Sequence, residues 1–289
     1  MTLPNQNSVR RFTHIVHGRE TSDGAGVRLR RYIASPELDM LDPFLLLDVF
    51  RSDDPNDYIA GFPPHPHRGF ETVTYLLHGQ MRHKDSAGHE GVIRAGGVQW
   101  MTAGSGIEHS EMPEQDNGLL YGFQIWVNLP ASEKMRPPRY QEFEPEQIPL
   151  EEHPDGSRIR AIAGETRQGT RGIVSEIAAQ PLYFDVSLPA GGEFSQLVPP
   201  DHNVVVYVAE GALTTDDEQQ VLEKEQLAVL GNGDNILLKA EQPSRFLLLA
   251  GKPFREKVAR YGTFVMNTQE EILQAFTDYR SGQFGRVEA

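Results

Sequence analysis

Between Gly61 and Trp126 the chain breaks into short runs of β-branched and aromatic residues. Turn signals separate them: Leu77-His78-Gly79-Gln80, Ser86-Ala87-Gly88, Ala95-Gly96-Gly97 and Ala103-Gly104-Ser105-Gly106. Many short apolar runs divided by glycine-rich turns predict an all-β barrel or sandwich, with no helix in this stretch. Upstream, loose alternation at Phe12, Ile15, Val16, Val27, Leu29, Tyr32 and Ile33 predicts edge or covering strands, and the compact run Leu41 to Asp48 predicts a buried strand. Residues 129–156 change character, with prolines at 130, 137, 138, 145, 149 and 154 among glutamates, so a connection between domains is expected with its boundary near 140–145. The β pattern resumes from Arg158 to Pro253. Tyr75–Gly79 aligns with Tyr207–Gly211 as a degenerate internal repeat whose second copy has no His-x-His. Thr268-Gln-Glu-Glu271 reads as a capping box opening a short helix, with Ile272, Leu273, Phe276 and Tyr279 on its apolar face and Gly282 as its stop. The division expected from these patterns is a first domain over 1–140 and a second over 141–289 that includes the helix.

Composition narrows the function classes. The 289 residues are 38% hydrophobic and 24% charged, as in an ordinary globular protein, and no apolar run reaches the roughly 18–20 residues that span a bilayer. The N-terminal stretch lacks the apolar core of a secretory signal, so a cytoplasmic protein with no membrane partner is expected. A formal charge of −14 opposes direct nucleic-acid contact, and the small basic clusters Arg10-Arg11 and Arg28 to Arg31 read as solvated strand faces. With no cysteine, disulfides, zinc–thiolate sites and a cysteine nucleophile are excluded, and any metal must be held by imidazole and oxygen.

Two polar clusters fit that requirement. His65-Pro66-His67, with Glu71 beyond it, and His109-Ser110-Glu111 each place metal-type ligands two residues apart, which in a strand puts both on one face. Pro66 would sit best at a strand start or on an edge. Three imidazoles and one carboxylate, from His65, His67, His109 and Glu111, would leave exchangeable positions on a divalent metal. Taken singly, His78, His83, His89, His153 and His202 read as ordinary core residues, and His14 and His17 lack a carboxylate companion. Glu71 shares parity with His65 and His67 in a regular strand; it is open between ligand, a group orienting a histidine, and proton acceptor.

The run Gly61-Phe-Pro-Pro-His-Pro-His-Arg-Gly-Phe-Glu-Thr-Val-Thr-Tyr-Leu-Leu-His-Gly79 resembles the first motif of the cupin superfamily in its pirin form. The run Gln99-Trp-Met-Thr-Ala-Gly-Ser-Gly-Ile-Glu-His-Ser-Glu-Met-Pro113 resembles the second. Leu41-Asp-Pro-Phe, Trp126-Val-Asn-Leu, Ala228-Val-Leu-Gly231 and Phe264 to Ile272 extend the resemblance over nearly the full chain. It implies two antiparallel β-barrel (cupin, jelly-roll) domains facing each other with a short C-terminal helix. It also implies one divalent metal in the first domain, iron before nickel, manganese, copper or zinc, on His65, His67, His109 and Glu111. By the same resemblance Glu71 supports the ligands rather than joining them, and the second domain carries no metal. The implied activity is quercetin 2,3-dioxygenation of a flavonol-like substrate with molecular oxygen, Glu111 doubling as base. Phe44, Phe62, Trp100, Met101 and Phe123 are candidate substrate walls. The alternative is a redox-sensing regulator acting through a protein partner.

Overall fold

The computed structural model describes residues 8–115, 117–217 and 219–285. They form two compact units that interchange chain ends: Arg19–Pro145 joins the segment from Phe254 onward, and the segment up to Gly18 joins Glu146–Pro253. A single cut near 140 is therefore replaced by two exchanges. Phe12–Val16 leaves the first domain because it pairs with Leu227–Leu230, and the terminal helix packs against strands of the histidine-bearing unit.

In that unit a seven-stranded antiparallel sheet runs Arg139–Phe143, Val98–Thr102, Phe70–His78, Leu120–Asn128, Phe44–Ser52, Val27–Ile33, Arg19–Asp23. A four-stranded sheet runs Phe62–His67, Ile107–Pro113, Gln80–Asp85, Glu90–Arg94. The all-β expectation holds, but the sheets remain open and the unit is a sandwich rather than a closed barrel. The composition of one edge strand explains why: Phe62–His67 carries Pro63, Pro64 and Pro66, which have no N–H with which to extend the ladder. Pro66 thus sits on an edge, where its chemistry belongs. The central strand Phe70–His78 is buried along all but its last residue. Its Leu76 meets Met81 and Ile93 of the four-stranded sheet, together with Leu29 and Phe50, so the face bearing Thr72, Thr74 and Leu76 looks into the sandwich.

The second unit repeats the plan. Its seven-stranded sheet runs Phe12–Val16, Leu227–Leu230, Asn203–Glu210, Ser244–Gly251, Leu182–Leu188, Arg158–Ala163, Leu150–Glu152, beside a four-stranded sheet beginning with Gly192–Leu197 and Asn235–Ala240. The repeat suspected at Tyr75–Gly79 and Tyr207–Gly211 falls at the same place in both, where a central strand ends in a glycine at positive φ. Gly192–Leu197 and Asn235–Ala240 bring Phe194 opposite Leu238, and both side chains join an apolar core cluster.

The basic clusters are engaged locally rather than left to solvent. Arg10 is buried and donates to the carbonyls of Pro199, Pro200, His202 and Gly231, Arg11 pairs with Asp216 and Asp217, and Arg31 pairs with Asp48 and Asp23. The capping box forms as expected at helix α1, Gln269–Arg280, with Thr268 and Glu271 capping each other's backbone N–H groups. Its apolar face is narrower than expected: Ile272 and Ala275 are buried, whereas Leu273 is 67% exposed.

The chain crosses from the four-stranded to the seven-stranded sheet through Arg68 and Gly69, and the C-terminal segment clamps this crossing. The Arg68 side chain donates to the Ser105 carbonyl (2.7 Å) and to Asp278 of α1 (2.6 Å). Buried Lys134 donates to the carbonyls of Gly69 (2.8 Å) and Val265 (3.1 Å) and to Asn128 Oδ1 (2.7 Å). Gly69 has φ +87°, and a Cβ there would lie 1.9 Å from the Val265 carbonyl oxygen. Gly69→Ala is therefore expected to destabilise the protein by roughly 3 kcal/mol or more, combining αL strain with a backbone clash. Chemical denaturation monitored by tryptophan fluorescence checks this; an unchanged midpoint would refute the crowding at this crossing.

Candidate metal centre

Backbone register assembles the histidines. Ile107–Pro113 pairs antiparallel with Phe62–His67 so that His109 lies directly opposite His65 and Ile107 opposite His67. The side chains at 65, 67 and 109 share the inner face, with ring centroids 4.6 to 4.8 Å apart. One nitrogen from each ring lies within 4.8 Å of the others, and among the described residues this is the one grouping of His and carboxylates so arranged. His67 is wedged edge-on against Phe70 and Trp126, which fixes its plane.

Each ring has one nitrogen engaged. His65 Nδ1 donates to the Pro63 carbonyl (2.8 Å), His67 is hydrogen-bonded to the backbone of Thr263, and His109 Nδ1 faces His83 Nδ1 (3.3 Å). The buried His67 Nδ1 and His109 Nε2 have no partner. A buried polar atom left unsatisfied is costly, and a cation shared by the three rings would satisfy both. Burial, aided by mutual repulsion among the rings, pushes the pKa of His67 and of His109 well below the ordinary histidine value. Both are therefore neutral at pH 7 with a lone pair to offer, as a metal ligand must be. The donor set fits a divalent transition ion.

Glu111 shares the inner face with His109 but lies outside the three-histidine grouping. Its Oε1 accepts from Thr74 (2.6 Å) and its Oε2 from Gln124 (2.8 Å), both on the seven-stranded sheet. It lines the same cavity of about 360 Å³ as His65 and His67, walled by Leu29, Leu46, Phe50, Phe62 and Trp126 and bordered by Asp48 and Gln124. Of the apolar walls expected from sequence, Phe62 is there; Phe44, Trp100, Met101 and Phe123 are buried elsewhere. Trp126, Phe50 and the leucines take their place because alternate positions of their strands turn inward.

Glu71 departs from its expected position. Parity with His65 and His67 requires one regular strand, but the crossing at Arg68-Gly69 puts Glu71 on the other sheet. There it lies three residues from Thr74 and so on the opposite face. Its carboxylate accepts from Trp100 Nε1 (3.1 Å) and Thr102 Oγ1 (2.6 Å). Burial raises its pKa to about 7 against these hydrogen bonds. His83, read from sequence as ordinary core, is instead fully buried between His109 and Asp85, with its Nε2 3.2 Å from Asp85 Oδ2. The signal available in the sequence was His83-Lys84-Asp85, another pair with strand spacing.

An open seven-plus-four-stranded sandwich carrying three converging imidazoles on two adjacent strands defines a cupin-type fold with a cluster that could hold a metal. The chain belongs to the pirin family: residues 26–127 match the Pirin model and residues 183–285 match the Pirin C-terminal cupin domain. It is 51% identical to a pirin-like protein of Caulobacter vibrioides over 96% of this chain and 99% of that one. It is 45% identical to pirin of Homo sapiens over 96% and 95%. Its fold matches a crystal structure of quercetin 2,3-dioxygenase from Acinetobacter baumannii with a TM-score of 0.87 and 36% identity, covering 97% of this chain and 100% of that one.

The raised Glu71 pKa makes a stability prediction. Because the folded protein holds this proton up to about pH 7 and the unfolded chain releases it near 4.5, stability falls as pH rises through that window. Glu71→Gln, whose amide can accept from Trp100 and donate to Thr102, should flatten that fall and gain on the order of 1–3 kcal/mol at pH 8 relative to the parent. Urea midpoints at pH 5 and pH 8 test it; parallel pH profiles for the two proteins would show that Glu71 titrates normally.

Proposed function

We propose that this chain is a metal-dependent dioxygenase that opens the heterocycle of a quercetin-like flavonol with molecular oxygen and loss of carbon monoxide. The metal would be held by His65, His67, His109 and Glu111, in the cytoplasm. The observation that carries this reading is the joining, in one cavity, of two of the clustered histidines, a buried carboxylate and an apolar aromatic wall. A cavity of about 360 Å³ lies within the size range of small-ligand sites, roughly 300–1,000 Å³. The similarity to the Acinetobacter quercetin 2,3-dioxygenase supports the same substrate class.

A divalent ion bound here, iron first and nickel, manganese, copper or zinc also compatible with imidazole and carboxylate, would supply Lewis acidity toward the flavonol oxygens and, where redox-active, an electron path to oxygen. Glu111 takes the proton of the flavonol 3-hydroxyl. Its two oxygens each already accept one hydrogen bond and retain capacity for another, so Thr74 and Gln124 hold the base in place without consuming it. Trp126, Phe50 and Phe62 offer faces and edges to the flat ring system and shed water from it.

Three expected outcomes test the reading. His65→Ala and His109→Ala should each abolish stoichiometric metal in elemental analysis of the purified protein; metal retained at parent levels would refute the ligand assignment. Protein loaded with iron, nickel, manganese or copper should bind quercetin anaerobically and, on admission of oxygen, release carbon monoxide. Glu111→Gln should slow turnover by about 10²-fold or more. Absence of carbon monoxide with all four metals would sink the dioxygenase assignment.

A further inference from the structure

A buried line of hydrogen bonds leads away from the three histidines. The strand Gln80–Asp85 pairs with Ile107–Pro113 so that Asp85 lies opposite His109 and His83 opposite Glu111. Asp85 accepts the backbone N–H groups of Ala87 (2.9 Å) and His89 (3.0 Å), and its Oδ2 lies 3.0 Å from His89 Nδ1 and 3.2 Å from His83 Nε2. His83 Nδ1 in turn meets His109 Nδ1 at 3.3 Å. Tyr140, on the edge strand of the facing sheet, packs its ring against both His83 and His89 at 4.9 and 4.8 Å and shuts the line in.

We propose that Asp85 and His83 form a positioning relay that selects the tautomer of His109, so that its Nε2 lone pair is presented to the metal. For a neutral His83 ring, hydrogen-bond polarity leaves one solution. A carboxylate fixed by two backbone N–H groups only accepts, so His83 Nε2 carries the proton. A neutral His83 then accepts at Nδ1, and His109 must donate from its own Nδ1. The lone pair of His109 falls on Nε2, the buried atom left without a partner. The opposite polarity would place a lone pair of His83 against the Asp85 carboxylate and an Nε2–H of His109 toward His65 and His67. An outer partner that fixes a ligand's tautomer strengthens metal binding by about 10–100-fold.

This inference rests on the three-histidine metal centre and not on the dioxygenase reading. It is tested on the apo protein by long-range ¹H–¹⁵N spectra of the histidine rings, and by equilibrium dialysis against Ni(II). The wild-type spectrum is expected to show His109 protonated on Nδ1 and His83 on Nε2. His83→Phe, which can neither accept nor donate, should populate the Nε2–H form of His109 and weaken Ni(II) binding by about 10–100-fold. His83→Gln, whose amide can accept from His109 and donate to Asp85, should keep the affinity within about threefold. His109 protonated on Nε2 in the wild type would overturn the relay, as would equal nickel affinity in His83→Phe and wild type. Failure of wild-type protein to bind nickel, iron or zinc would instead overturn the metal centre itself.

Discussion

The antiparallel pairing of Phe62–His67 with Ile107–Pro113 is the constraint on which the site depends. Backbone hydrogen bonds set which residues face one another, and a slip of one residue would send His65 and His67 out of the sandwich while His109 stayed inside. Register in an edge strand rich in proline is weakly specified by its own hydrogen bonds. It is reinforced from outside. Arg68 immediately follows the strand and is tied to the Ser105 loop and to helix α1, and Gly69 is wedged beneath the Val265 carbonyl with Lys134 bonded to both. The last thirty or so residues of the fold thus hold the turn next to the three-histidine cluster.

Electrostatics at the centre follow from burial. Two imidazoles taken out of water become weak bases, which keeps them neutral and leaves their lone pairs free. The Glu111 side chain, also buried, has both oxygens hydrogen-bonded by the neutral donors Thr74 and Gln124. Glu71 lies behind the other face of the Phe70–His78 strand. Burial there outweighs two hydrogen bonds and raises the pKa. The two glutamates lie behind opposite faces of a single strand and are held by different partners.

The two units share a sheet order yet differ in what their inner faces hold. Where one sandwich brings His65 opposite His109, the other brings Phe194 opposite Leu238 inside a continuous apolar core. The repeated scaffold is therefore indifferent to the site built on it. Polar residues on the inner strands open a cavity, and apolar ones fill it.

The strand-rich class, the capping box at Thr268, the repeat and the pairing of His-x-His with a later His-x-Glu were all legible in the sequence, because each depends on local spacing. Period-two alternation says which residues of one strand share a face, and it holds only while the strand is unbroken. The crossing at Arg68-Gly69 ended that regularity and moved Glu71 to the outer face of another sheet. Long-range pairing decided the rest. It gave the N-terminal strand and the C-terminal helix to units other than their neighbours in sequence, left the sheets open at a proline-bearing edge, and set Asp85 and His83 behind His109. The sequence by itself determined which residues could ligate a metal, because ligand chemistry is a property of side chains. Which of them converge, and what orients them, only the tertiary structure decided, because convergence depends on register between strands tens of residues apart.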